Sequence, residues 1–112
     1  MEKSLRTKYQ REVARVTDLL VKEYKPEKII LFGSMAGGKL DEDSDIDLLV
    51  VKNTSKSYHQ RIREVALMCA SFVPKDIFVL TAKELNQAIS EKRFLITQEI
   101  LPKGKVLYEK GN

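Results

Sequence analysis

Apolar residues recur at spacings of three and four across residues 2–24, at Leu5, Tyr9, Val13, Val16, Leu20 and Tyr24. That period lays one apolar stripe along an α-helix. Pro26 closes it, because proline lacks the N–H that continues the ladder and crowds the turn before it. The period then changes. KIILF at residues 28–32 is a short branched and aromatic run that predicts a buried strand. Residues 44–51 are apolar on both faces after Asp47, which predicts a strand in the middle of a sheet. A second helix is expected over 57–72, with Ile62, Val65, Ala66, Cys69 and Phe72 on one face, and Pro74 separates it from a third strand, Asp76–Leu80. Thr81 followed by Glu84 is a capping-box pair for a short helix through about Ile89. Phe94 to Leu101 reads as another helical segment, ended by Pro102, and Lys105–Tyr108 as an edge strand. The order α-β-β-α-β-α-α-β predicts an α/β domain, a small mixed β-sheet packed by helices.

At 112 residues the chain is the size of one domain, residues 1–112, without repeats or low-complexity tracts. The hydrophobic share of 43% and charged share of 32% are those of a folded chain rather than a disordered one. No apolar run approaches the roughly 18 residues a membrane helix needs, and the N-terminus has no secretory apolar core. Cys69 is the single cysteine, which excludes an internal disulfide and fits a reducing cytoplasm. Net charge is +4, but Asp41, Glu42, Asp43, Asp45 and Asp47 fall within seven residues; without them 20 bases face 11 acids, or +9. A solvated acidic loop on a lysine-rich surface accounts for this, and so does a site for a cation with a polyphosphate. No interleaving of aromatic and basic residues points to direct nucleic-acid binding.

The stretch GSMAGGKLDEDSDID carries the candidate chemistry. Gly33 and Ser34 follow a strand, where glycine permits a tight turn and close approach of a ligand, and serine offers a hydroxyl and an N–H to an anion. Asp45 and Asp47, at i and i+2, share a strand face, and their carboxylates can converge on one hard cation such as Mg²⁺. Asp76 opens the third strand in the corresponding position. Three such acids could hold two cations roughly 3.5–4 Å apart, the clamp used in phosphoryl and nucleotidyl transfer. Capping or turn roles are the bland alternatives for each residue. His59 reads as exposed, Cys69 as a small core residue, and Lys52, Lys56 and Arg61 as a solvated basic surface.

Gly33-Ser34, ten residues, then Asp45-Ile46-Asp47 resembles the signature of the DNA polymerase β-like nucleotidyltransferases, and is similar to the small minimal nucleotidyltransferase (MNT) domains. LFGS, SDIDLLV, DIFVLTAKEL and EILPKGKVLYE also resemble that family, so the likeness runs from Lys28 to near the C-terminus. It implies that Asp45 and Asp47 ligate Mg²⁺, with Asp76 completing a second ion that activates the acceptor oxygen, and that Gly33 and Ser34 hold the terminal phosphates of ATP. It further implies AMP transfer to a hydroxyl of a helical HEPN-type partner, as the antitoxin of a toxin–antitoxin pair. The family commonly has Gly-Ser-x-Ala-Arg-Gly, and Gly37 stands here in place of the arginine. Lys39 can supply a point charge to a phosphate but no bidentate fork. That departure motivates an alternative: an MNT-fold module, weakly active or inactive, that inhibits its partner by docking. A homodimer is compatible with a thin sheet that leaves one face open.

Overall fold

Buried branched residues build the sheet, and amphipathic helices then cover it. The computed structural model describes residues 2–37 and 45–111, with side chains from residue 5 onward. Helix α1 (Glu2–Leu19) runs into a wider π turn, Leu20–Tyr24. Lys25 ends it in the left-handed region at φ 54, its N–H donating to the Leu20 carbonyl at 2.9 Å, and Pro26 follows as expected. Strand β1 (Lys28–Phe32) turns into a single-turn helix α2 (Gly33–Ala36). Then come β2 (Ile46–Val51), α3 (Tyr58–Met68), β3 (Lys75–Leu80) and α4 (Ala82–Ser90). A π-helical segment Leu95–Ile100, α5 (Leu101–Lys103) and β4 (Lys105–Glu109) complete the chain.

The sheet is mixed, in the order β3-β2-β1-β4. β1 is antiparallel to β2 and β4, while β2 and β3 are parallel. β2 is therefore central and β4 an edge, as the sequence predicts. Strand alternation deals the apolar residues to two faces. Ile29, Leu31, Ile46, Leu48, Val50 and Val79 join Val16, Leu20, Val65 and Cys69 beneath α1 and α3. Ile30, Phe32 and Leu49 meet Ala88, Ile96 and Ile100 from α4 and the π segment. Both faces are covered, so the open face expected from the sequence is not there, and with it goes that reason for a second copy.

Most boundaries fall within a residue or so of expectation, and three differences affect packing or the site. β2 starts at Ile46, so Asp45 lies just outside it. Helix α3 stops at Met68 rather than residue 72, because Cys69 leaves helical geometry; Phe72 is consequently thrown fully into solvent and Ala66 is exposed, while Val65 and Cys69 stay buried. Pro102 does not end a helix but occupies the first turn of α5, where its missing N–H would be unpaired anyway. Both α3 and α4 open with full capping boxes, Ser57 with Gln60 and Thr81 with Glu84.

Candidate active site

One end of the sheet gathers the residues singled out by the sequence. Phe32 closes β1 opposite Asp47 on β2, and Asp47 is in turn the parallel register partner of Asp76 on β3. Alternation puts Asp47 and Asp76 on the face that also carries Phe32, Leu49 and Phe78. The Phe32 and Phe78 rings stack beside the acids at a centroid distance of 6.0 Å. Asp45 directly precedes the strand and is exposed, as is Asp76, whereas Asp47 is half-buried.

Gly33 is required here on two counts. Its φ of 75 lies in the region that disfavours side chains, and a Cβ at this position would fall onto the Asp47 carboxylate. The turn after β1 is thus held against the central acid by backbone alone. Ser34 follows it, half-buried, at the start of α2.

Burial, then the neighbouring Asp76 and Asp45 carboxylates, push Asp47 up from the ordinary aspartate range to about 6. Among the described residues, no ion pair reaches Asp45, Asp47 or Asp76. The described acids do not close into a group of three around one ion position as they stand. The donor set itself fits a hard divalent cation: oxygen ligands only, one or two carboxylates at a time, with the remainder left to water and phosphate oxygens.

Lys39 lies outside the described residues, as do residues 38–44 with Asp41, Glu42 and Asp43. Gly37 is exposed with φ −82, and a Cβ there would meet nothing closer than the Gly33 carbonyl oxygen at 3.7 Å. Lys52, Lys56 and Arg61 belong to the opposite end of β2 and β3. Arg61 is not a solvated surface cation: at 6% exposure its guanidinium donates to the carbonyls of Lys56 (2.9 Å) and Val79 (3.3 Å) and to Glu84 (2.7 Å). Lys52 lies over the Tyr24 ring, and Lys56 pairs with Glu64 at 2.7 Å. His59 is exposed and Cys69 buried, both as expected.

A support beneath Asp76 escaped the sequence reading. Glu12 on α1, 8% exposed, takes a forked pair of hydrogen bonds from Arg15 at 2.8 Å each, one from Ser71 at 2.6 Å, and an ion pair from Lys75, the residue preceding Asp76. Arg15 also donates to the Cys69 carbonyl at 3.2 Å. The signal was present: Glu12 interrupts the buried stripe midway between Tyr9 and Val16, where an acid survives only if paired.

A sequence model of the family described as "Polymerase beta, Nucleotidyltransferase" matches residues 14–112. The chain belongs to the polymerase β nucleotidyltransferase family. A Methanocaldococcus jannaschii protein named "putative protein adenylyltransferase" is 33% identical over 84 residues, spanning 73% of this chain and 78% of that one. The crystal structure of a "putative nucleotidyltransferase" from Sulfolobus solfataricus superposes with a TM-score of 0.68 at 16% identity, covering 96% of this chain and 86% of that one. This second likeness establishes the nucleotidyltransferase fold. Gly33, Ser34, Asp45, Asp47 and Asp76 all lie within the stretch that the family model matches.

Proposed function

We propose that this nucleotidyltransferase is Mg²⁺-dependent and transfers AMP from ATP to a hydroxyl of a partner protein. The observation that carries the reading is the contact between the Gly33 turn and Asp47, with Asp76 in register beside it. A phosphate-binding turn and paired acids on adjacent strands are the parts such transfer needs, and here they touch. Asp45 and Asp47 would hold the divalent ions together with Asp76, and Gly33 and Ser34 would receive the terminal phosphates. Bound Mg²⁺ neutralises the triphosphate and supports an acceptor oxygen as it loses its proton. Asp47 suits this role because its carboxylate is held among like charges, Asp76 and Asp45, that a cation would relieve. A protein acceptor is supported by the name of the Methanocaldococcus relative. A helical HEPN-type toxin as that acceptor, silenced by the modification, extends the reading to an antitoxin role acting in the cytoplasm.

Gly37 favours a second reading, a module that docks without efficient chemistry. Among the described residues nothing demands glycine at this position, since its φ is ordinary and a Cβ would make only ordinary contact with the Gly33 and Ser34 carbonyl oxygens. Gly37→Arg is therefore expected to fold normally and to raise the rate of AMP transfer and the affinity for ATP. An unchanged rate in radiolabel transfer assays would show that the arginine is dispensable here.

The two readings separate in one experiment. α-Phosphate-labelled ATP and Mg²⁺ are supplied to the protein together with partners co-purified from the native host. Label on a partner from the α- but not the γ-phosphate, lost in Asp45→Asn/Asp47→Asn, supports transfer. A bound partner that stays unlabelled leaves docking.

A further inference from the structure

Asp47 and Asp76 share one face of the sheet but are held very differently. Asp47 sits on a strand paired on both sides, with the Gly33 turn against its carboxylate. Asp76 is exposed, the second residue of β3, and β3 is the outermost strand, paired to β2 alone. Its placement therefore depends on the loop that enters the strand.

That loop is tied down from the other side of the sheet. Alternation places Lys75 with Ile77 and Val79 toward α1 and α3, while Asp76 shares the face of Phe78 and Asp47. The Lys75 side chain, 8% exposed, pairs with Glu12 on α1 and donates to Ser71 Oγ at 2.6 Å and to the Val73 carbonyl at 2.8 Å. Ser71 donates to Glu12 at 2.6 Å and accepts from the Val73 N–H at 3.1 Å. Arg15, forked onto Glu12, reaches the Cys69 carbonyl where α3 ends. The Pro74 carbonyl accepts from the Ile46 N–H at 3.0 Å, at the point where β3 joins β2 and Asp76 comes level with Asp47. The side chains that fasten the loop thus converge on one buried carboxylate. Glu12 itself is fixed between Tyr9 and Val16, both in the core.

Stability alone is a poor account of this cluster. A buried acid–lysine pair commonly returns no more than its desolvation costs, and apolar residues would hold the loop as firmly. What a fully bonded polar network adds is a single geometry. We propose that Glu12, acting through Lys75, is a positioning residue for Asp76. It governs the cation that Asp76 completes rather than the one held by Asp45 and Asp47, and this rests on the metal-dependent reading above. Groups that orient a metal ligand without touching the metal typically change its affinity by roughly 10–100-fold.

Mn²⁺ alone tests this, as a paramagnetic substitute for Mg²⁺ whose free fraction is read by electron paramagnetic resonance. The parent is expected to bind a tighter ion, lost in Asp45→Asn/Asp47→Asn, and a weaker one, lost in Asp76→Asn. In Glu12→Gln the weaker ion is expected to lose about tenfold in affinity while the tighter ion is unchanged. That variant strands the Lys75 charge, so Glu12→Gln/Lys75→Met is measured beside it. With no buried charge left over, its urea unfolding is expected to return toward the parent while the weaker ion stays weak. Parent-like binding of both ions in the double variant would overturn the proposal. So would an equal loss of both ions, which is general loosening, or a parent whose ions are indifferent to Asp76→Asn. Each of these leaves the transferase reading standing. Mn²⁺ binding that survives substitution of all three acids removes that reading's metal site, and the proposal with it.

Discussion

Asp47 is the least comfortable charge among the described residues. Its acidity is weakened to about 6, first by burial and then by Asp76 and Asp45. Because the folded value lies above the unfolded one, the folded state binds more protons between about pH 4 and 6, and stability falls as pH rises through that window. Above it the full cost is carried by the metal-free protein. Asp47→Asn is therefore expected to stabilise the metal-free fold at pH 7 by about 1 kcal/mol, discounted for the solvent at this open site, while abolishing transfer. Thermal unfolding with a chelator checks it, and a lower melting temperature would contradict the repulsion. Gly33→Ala should do the reverse, losing about 1–3 kcal/mol through an unfavourable φ and the collision with Asp47. Chemical denaturation measures that loss, and a Gly33→Ala variant as stable as the parent would show that the turn relaxes freely.

At the scale of elements, the Glu12 cluster fastens α1 to the start of β3. Hydrogen bonding from Arg15 first, then Lys75 and Ser71, holds the Glu12 carboxyl down at about 2. A depressed value means a contribution fully present above about pH 4.5 and lost as pH falls toward 2. Glu12→Gln would leave the Lys75 ammonium, 8% exposed, without its counter-charge, and is expected to cost about 2 kcal/mol in urea unfolding at pH 7. The difference from the parent should shrink on acidification. The sequence showed the elements but not this tie. Local periods and caps made the helices and strands legible: Thr81 with Glu84 marked α4, and the run after Asp47 marked the central strand. Phe72 was misplaced because periodicity continues on paper past Cys69, where the backbone leaves the helix. Arg61 looked like surface because its partners, Val79 and Glu84, are distant in sequence. Spacing cannot show an ion pair formed by tertiary packing.

For the whole molecule, the acids and the phosphate turn were legible together because a hairpin-like β1–β2 pair keeps them close in sequence, within residues 33–47. Asp76 needed the parallel β2–β3 register, which no spacing encodes. Mg²⁺ is expected to raise the melting temperature of the parent, since it binds the folded chain and relieves Asp47. No rise is expected in Asp45→Asn/Asp47→Asn; an equal rise in both would place the binding elsewhere.

The two outer strands have a consequence for life at high concentration. A bare sheet edge is a template on which another chain can zip up, and crowded solutions turn such edges into aggregates. On β3 the carbonyl of Val79 is taken by Arg61 at 3.3 Å. On β4 the pairing with β1 slips by a bulge between Ile29 and Ile30, and Lys105 starts the strand with a charge. Neither border invites a foreign strand. Each border thus carries a feature that works against pairing with another chain's backbone, at the two strands where the sheet ends.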